Sequence, residues 1–383
     1  MNTLLLILGC LNLVICFVIG IPLLFGMRRI RHLRDVEPWQ GVGPRVSIIV
    51  AARNEGRHIR QAVEALLKQD YEPIEWLVVN DRSTDDTGAI LDELARQDPR
   101  LKVVHLEHLP PGWLGKNHAL HLGTRQASGE LFLFTDADVV MEPTVVRRAV
   151  RYLVENQIDH LPMLFAVKMP NWLLESFVVT FSIYLMSYCR PWSCPNPDSS
   201  AHIGIGGFNL IRRSVYEAIG TLEAIRMRPD DDLKLGKLVK RNRFRQELLN
   251  ASDQMYVPWY SSIRELVKGL EKNAFAGLDY NIPFTLFTIG MMLTFNVFPF
   301  VALFLTAGTT WWIYLAVVIC LLGLALISAY YGRARLSCAL GFPLAALAMA
   351  AIQTRTMVVN LWLGGIRWRD THYPLADLKA NRV

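Results

Sequence analysis

Leu131-Phe132-Leu133-Phe134-Thr135-Asp136-Ala137-Asp138-Val139-Val140 is the stretch whose reading decides the fold. An apolar, β-compatible run goes straight into two carboxylates set one residue apart. A short apolar run bounded by a polar break predicts a strand buried on both faces. Asp136 and Asp138 then stand at its C-terminal edge, where open α/β sheets bind their ligands. Side chains at i and i+2 of an extended segment point the same way. The pair is therefore expected to converge on one divalent cation. A hard cation such as Mg²⁺ or Mn²⁺ takes oxygen ligands and substrate phosphates. The same pattern also fits a polar turn after a core strand, so the flanking sequence has to decide.

Outward from this stretch the pattern repeats. Residues 45–52 predict a buried strand ending in Arg53-Asn54-Glu55-Gly56, followed by Ile59, Val63, Leu66 and Leu67 at helical spacing. Trp76-Leu77-Val78-Val79 predicts a second strand. It runs into Asn80-Asp81-Arg82-Ser83-Thr84-Asp85-Asp86-Thr87, which can cap the helix carrying Ile90, Leu91 and Leu94. Residues 101–106 predict a third strand and 117–127 a helix. Strands alternating with helices imply an α/β fold with a mostly parallel sheet and right-handed crossovers. The polar clusters after the strands then fall along one edge. Each alone is also an ordinary helix cap; several acid-rich ones on one edge call for a ligand.

Two further elements follow. Gly204-Ile205-Gly206-Gly207-Phe208-Asn209 permits close backbone approach to a ligand or a plain turn. Pro229-Asp230-Asp231-Asp232-Leu233 sets three acids where a helix start would favour them. On such a helix Asp231 and Asp232 point about 100° apart, so only one is expected to face a substrate.

The segment 46–272 resembles the nucleotide-sugar domain of family 2 glycosyltransferases, which has the GT-A fold. Members carry a basic-Asn-Glu element, here Arg53-Asn54-Glu55, then Asp-Asp-x-Ser-x-Asp-x-Thr, here residues 80–87. Asn80 departs at the first acid and Asp81 keeps the second. A Gly-Lys element, here Gly115-Lys116, and Asp136-Ala137-Asp138 follow in the same order and spacing. The resemblance implies that Glu55 and Asp81, with Arg53, Asn54 and Ser83 from the same loops, bind the uridine end of a UDP-sugar. Lys116 and Asp136 would lie near ribose and phosphates, and Asp136 and Asp138 would hold Mg²⁺ or Mn²⁺ on the pyrophosphate. Gly206, Gly207 and Asn209 would face donor sugar and acceptor. Asp231 would replace the family's Glu, and Asp232, set by Leu233, would be the general base. Clustered carboxylates raise a pKa toward the useful range. One in-line displacement would then invert the anomeric configuration.

Processive polysaccharide synthases of the family carry Gln-x-x-Arg-Trp further on. This chain has Val257-Pro258-Trp259-Tyr260-Ser261-Ser262-Ile263-Arg264 there, so only the aromatic-then-basic character of Trp259 and Arg264 survives. That favours single-sugar transfer over an oligosaccharide or polysaccharide synthase. The layout resembles ceramide-, hopanoid- and carotenoid-type lipid glycosyltransferases, which implies a nucleotide-sugar donor and a lipid acceptor. A non-catalytic membrane protein with a relic domain is the other alternative; retention of Asp81, Asp138 and Asp232 together argues against it.

Composition points to a membrane. The chain has 383 residues, 52% hydrophobic and 19% charged, with a net charge of +6. The apolar excess sits at the two ends, and much of the basic charge lies beside it, which argues against nucleic acid as a partner. The scattered cysteines suggest neither a disulfide framework nor a metal site. Residues 4–27 are apolar and uncharged, long enough to cross a bilayer. Arg28, Arg29, Arg31 and Arg34 follow, which puts the N-terminus outside and the next domain in the cytoplasm. A cleaved signal peptide would need a positive start, a shorter apolar core and a small-residue cleavage site. Residues 172–188 fit a core helix or one lying in the membrane interface. Residues 281–332 carry no charge and predict a hairpin of spans 282–305 and 311–331. Residues 336–363 hold Gln353 and Arg355, and a mid-bilayer Arg costs about 2.5–3.5 kcal/mol. This stretch is expected to re-enter or lie on the surface, leaving the tail with Trp368-Arg369 and Tyr373-Pro374 cytoplasmic. The expected organisation is 1–35 anchor and basic linker, 45–272 GT-A domain, 281–365 membrane or interfacial helices, and 366–383 cytoplasmic tail. The whole would be a multi-pass protein of the cell membrane.

Overall fold

A computed structural model describes residues 2–383, so residue 1 of the expected 1–35 anchor lies outside the described residues. After helix α1 (Asn2–Met27) the chain alternates strand and helix. The elements are β1 (Val46–Ala52), α2 (Ile59–Leu67), β2 (Ile74–Asp81), α3 (Thr87–Gln97), β3 (Leu101–Leu106), α4 (Gly115–Gln126) and β4 (Leu131–Asp136). Then come β5 (Val140–Met141), α5 (Val145–Glu155), β6 (His160–Leu164), β7 (Ala166–Lys168), α6 (Trp172–Cys189), β8 (Asn209–Arg212), α7 (Arg213–Ala218), α8 (Asp231–Arg241), β9 (Leu249–Asn250) and β10 (Met255–Pro258). The C-terminal third holds α9 (Ile263–Leu270), α10 (Ile282–Met292), α11 (Phe298–Leu305), α12 (Gly308–Tyr331) and α13 (Phe342–Trp362).

These elements form two compact units. The first comprises Met1–Arg29, Val167–Arg190 and Trp259–Lys379; the second comprises Ile30–Ala166, Pro191–Pro258 and Ala380–Val383. The second unit is built on a seven-stranded sheet in the order β3-β2-β1-β4-β8-β6-β9. β1 runs parallel to both β2 and β4, and β2 parallel to β3. β8 is antiparallel to β4 and β6, so the sheet is mostly parallel with one reversed strand. β1 and β4 are almost wholly buried, as helices on both faces require of a parallel sheet. Register pairs Ala52 with Asn80 and Ala51 with Asp136, which brings the ends of β1, β2 and β4 to one edge. Phe132 and Phe134 point into a core with Tyr216, Ile219 and Leu235, and Phe132 meets the Tyr216 ring edge-on at 5.5 Å. That geometry is the favoured one for aromatic pairs.

The first unit is helical. Among the described residues five helices are long and apolar enough, by length and composition, to cross a membrane: Thr3–Met27, Trp172–Ser193, Ile282–Leu305, Gly308–Tyr331 and Leu336–Trp362. Many of their large apolar side chains are exposed, among them Leu4, Phe304, Trp312 and Trp362. The hairpin's second helix starts at Gly308 rather than 311, because Gly308 adopts a left-handed φ of 58° that lets the chain turn there. Residues 172–188 are one continuous helix apolar around its circumference, capped by Asn171 Oδ1 accepting from Leu174 N at 3.0 Å. Residues 342–362 also form one continuous helix, after a short 3-10 helix at Leu336–Gly341. Its Arg355 is not left alone: Nε and Nη2 meet Glu271 Oε1 at 2.9 and 2.8 Å. That pairing offsets the cost counted against a crossing.

Candidate active site

A cleft opens at the C-terminal edge of β4. It is lined by Lys116, Leu120, Phe134, Thr135, Asp136, Gly206, Asn209, Leu222, Asp231, Asp232 and Leu235. Four of the predicted charged residues meet here. Lys116, on the first turn of α4, places Nζ 2.9 Å from Asp136 Oδ1 and 3.4 Å from Asp231 Oδ2. Burial alone would lower the Lys116 ammonium, but Asp136, Asp231 and Asp232 outweigh it and push its pKa up. The residue is thus a fixed cation.

Asp231 and Asp232 both reach this cleft, contrary to the expectation that helix geometry turns one of them away. They are the first two residues of α8, at the helix end that borders the cleft, so both line it although they leave the axis about 100° apart. Asp232 Oδ2 accepts from Gly206 N at 2.8 Å, and Oδ1 accepts from Leu233 N at 2.7 Å. Burial first, then the Asp231 charge, pushes the Asp232 carboxyl up to about 7. Asp230, the first of the three acids, faces elsewhere. It binds Arg228 bidentately at 2.8 and 2.9 Å, and Lys234 Nζ lies 3.6 Å away. Arg228 is buried, so this pair fixes the chain where it enters α8. Breaking such a pair typically costs about 3–5 kcal/mol.

The glycine element folds tightly against α8. A Cβ at Gly204 would lie 1.7 Å from the Asp232 carbonyl oxygen, so only glycine fits there. At Gly206 a Cβ would meet Asp136 Oδ2 at 2.8 Å and Asp232 Oδ2 at 3.3 Å. Gly207 contributes its carbonyl, which accepts from Thr135 Oγ1 at 2.8 Å. Asn209 opens β8 beside it.

Asp138 does not extend β4. The strand stops at Asp136, and the chain turns through Ala137 and Asp138, with Val139 N bonded back to Asp136 O at 3.4 Å. The i, i+2 argument for convergence therefore fails. The two carboxylates still feel each other: burial first, then Asp136 and Glu55, pushes Asp138 up to about 7. Crowded anionic oxygens of this kind fit a divalent cation. Among the described residues no group of three His, Cys, Asp or Glu side chains is gathered as a metal site. Asp136 and Asp138 would then be two ligands, with substrate oxygens and water completing the shell, as Mg²⁺ and Mn²⁺ accept.

The predicted donor loops are tied to one another. Asn54, at a left-handed φ of 54°, donates its N–H to Ser83 Oγ at 3.0 Å and accepts from Thr84 N at 2.8 Å. Glu55 N donates to Thr87 Oγ1 at 2.8 Å, and Gly56 N to Asp85 Oδ2 at 3.0 Å. Asn54 and Ser83 thus shape the loop pair. Asp81 is chelated by Arg82 at 2.7 and 3.1 Å, with Arg53 Nη1 at 3.7 Å. Trp259 and Arg264 fall in the helical unit. Trp259 packs on Tyr260 and Phe181 at ring distances of 4.7 and 6.1 Å, and Arg264 is exposed on α9.

Sequence reasoning missed Thr135, Leu120, Leu222 and Leu235 as cleft walls. It also missed the Arg228–Asp230 anchor. An Arg two residues before an acid run was the available signal for the anchor; the apolar walls carry none.

Residues 47–220 match the family model of glycosyl transferase family 2. Over 118 residues the chain is 35% identical to an uncharacterized glycosyltransferase of Haemophilus influenzae, covering 31% of this chain and 35% of that protein. Over 111 residues it is 40% identical to the beta-monoglucosyldiacylglycerol synthase of Synechocystis sp., covering 28% of this chain and 23% of that protein. The chain thus spans 35% or less of the length of these two curated relatives. Among solved structures, the mannosyltransferase PcManGT from Pyrobaculum calidifontis, in complex with GDP-Man and Mn²⁺, aligns with a TM-score of 0.52. The alignment covers 94% of this chain and 99% of that one at 20% identity, a likeness of fold.

Proposed function

We propose, from the premise that residues 47–220 are a glycosyl transferase family 2 domain, that this protein moves one sugar from a nucleotide-diphospho-sugar to a lipid hydroxyl. The observation that carries the reading is the convergence of Lys116, Asp136, Asp231 and Asp232 in one cleft at the edge of a parallel sheet.

Asp232 is the general base. It removes the proton from the acceptor hydroxyl, whose oxygen attacks the anomeric carbon as the bond to the diphosphate oxygen breaks. Nucleoside diphosphate leaves, and a single displacement inverts the configuration. Gly206 N–H aims the carboxylate, and its elevated pKa suits a base working near neutrality. Lys116 meets the negative charge of the diphosphate, and Asp231 holds Lys116 in place. Glu55 and Asp81, with Arg53, and the loop pair shaped by Asn54 and Ser83, receive the nucleoside; a UDP-sugar is the proposed donor. Asp136 and Asp138 would hold Mg²⁺ or Mn²⁺. The ion's chemistry there is to neutralise the charge developing on the leaving diphosphate. The Mn²⁺ bound with GDP-Man in the similarly folded mannosyltransferase supports this.

Two things support a lipid acceptor. Among the described residues five helices are of membrane length. One relative is by its name a synthase of a glycosylated diacylglycerol. Gly206, Gly207 and Asn209 make up the proposed acceptor side of the sheet unit; Trp259 and Arg264, also assigned to the acceptor side by the family resemblance, belong to the helical unit. The proposed organisation keeps 1–35 as anchor, 45–272 as the transferase region, 281–365 as membrane helices and 366–383 as a cytoplasmic tail. Membrane-lipid extract added to purified protein and UDP-sugars should stimulate release of UDP. A release rate indifferent to lipid would contradict the lipid acceptor.

A further inference from the structure

Beneath the glycine element lies a chain of buried side chains with a definite direction. Gln246, His160 and Asn209 are at most 2% exposed. Their amides and ring are ambiguous taken singly, but backbone groups at the ends leave one assignment. Ile203 N can only donate, and it donates to Gln246 Oε1 at 2.9 Å. Gly236 O can only accept, and Gln246 Nε2 lies 3.0 Å from it. The Gln246 amide is thus fixed, and its Nε2 also donates to His160 Nδ1 at 2.8 Å. His160 is neutral, because burial lowers its pKa to about 4. A neutral ring that accepts at Nδ1 carries its proton on Nε2. His160 Nε2–H therefore donates to Asn209 Oδ1 at 3.1 Å. Ile205 N donates to the same oxygen, also at 3.1 Å.

Both anchors agree that the Asn209 oxygen faces inward. Its NH₂ group is then turned the other way, and Asn209 is a wall of the cleft. Among the described residues no acceptor lies on Asn209 Nδ2, whereas Gly206, three residues back in the same element, binds Asp232. We infer that the Gln246–His160 relay holds Asn209 so that its amide N–H donors project into the cleft and bind a hydroxyl oxygen of the transferred sugar.

The chemistry of the cleft selects that ligand. Its other polar side chains are three carboxylates, one ammonium and the Thr135 hydroxyl, which is engaged with Gly207. Carboxylates accept from sugar hydroxyls but cannot donate to their oxygens. A neutral, two-donor amide matches a hydroxyl, while the ammonium of Lys116 matches phosphate. Asn209 is then a specificity-determining residue, and His160 and Gln246 are positioning residues that act only through it.

This inference rests on the transferase reading, and the test separates the two. Full-length protein in detergent is titrated with UDP, GDP, UDP-glucose, UDP-galactose, UDP-N-acetylglucosamine and GDP-mannose. Wild type should bind one nucleotide-sugar and its nucleoside diphosphate. Failure to bind any of them overturns the transferase reading itself. Asn209→Asp keeps the inward oxygen but replaces the donors with an acceptor. It should weaken the nucleotide-sugar about tenfold while the nucleoside diphosphate binds as before. His160→Gln, which can donate to Asn209 and accept from Gln246, should stay near wild type; His160→Leu should show part of the Asn209→Asp loss, confined to the sugar. Equal weakening of nucleotide-sugar and nucleoside diphosphate in both Asn209→Asp and His160→Leu marks a merely structural role and overturns the inference. So does unchanged nucleotide-sugar affinity in Asn209→Asp.

Discussion

Gly206 N–H donates to Asp232 Oδ2 at 2.8 Å, so the glycine element and the acid run are one unit. From this follows the first prediction. Asp232→Asn keeps shape but removes the proton acceptor, and transfer should fall by on the order of 10²–10⁴ with donor affinity kept. Burial and Asp231 put the Asp232 carboxyl at about 7. The base works ionised, so kcat/KM should rise with pH up to about 7 and level off above. In Asp231→Asn the charge that raises Asp232 is gone, so the limb should move to lower pH with a milder loss of rate. A dead Asp231→Asn beside a near-wild-type Asp232→Asn would place the base one residue earlier.

Removal of divalent cation should weaken the donor. Asp136 and Asp138 crowd negative charge that burial makes costly. With EDTA in excess, nucleotide-sugar affinity should fall at least about tenfold and return with MnCl₂. Asp138→Asn should show the low affinity at every Mn²⁺ concentration. Turnover unchanged in excess chelator would rule out a metal role.

Glu75 should govern the acid stability of the sheet unit. Burial raises its pKa, but bonds from Ser47 Oγ at 2.6 Å, Ser128 N at 2.6 Å and Lys102 Nζ at 3.0 Å win, holding it at about 2. A depressed carboxyl stabilises the native state above its unfolded pKa, about 4.3, and loses that contribution as pH falls toward 2. Glu75→Gln should cost about 1–3 kcal/mol at neutral pH. The gap to wild type in thermal midpoint should shrink between about pH 4.3 and pH 2. A gap constant over that range would contradict this role.

The sheet unit is expected in the cytoplasm. Arg28 and Arg29 directly follow α1, and basic residues favour that side. A cysteine introduced at the exposed Glu107, with Cys10 replaced by Ser, should resist a membrane-impermeant maleimide in intact cells and react after permeabilisation. Labelling in intact cells would reverse the topology.

The fold and part of the site were legible because they are linear. The apolar run 131–134 and the strand–helix alternation around it need only neighbours to be read, and Asp136 came with them; Lys116 came from the family resemblance. For Asp138 the strand-period argument fails, since the chain turns at Ala137, and its proposed metal role rests on the family resemblance. Asp231 and Asp232 were separated by their angle about the helix axis alone, although both stand at the helix end that borders the cleft. The relay was illegible because His160 and Gln246 are brought together by sheet pairing across 86 residues of chain. Nothing local marks a buried glutamine as the support of an active-site amide.

The most direct measurement is the product itself. Purified full-length protein is incubated with Mn²⁺, membrane-lipid extract and each of several UDP-sugars, and the lipids are analysed by mass spectrometry. The account predicts, with at least one donor, a lipid heavier by a single sugar residue, absent with Asp232→Asn. No sugar-modified lipid with any donor, or a ladder of many sugars on one acceptor, would contradict it.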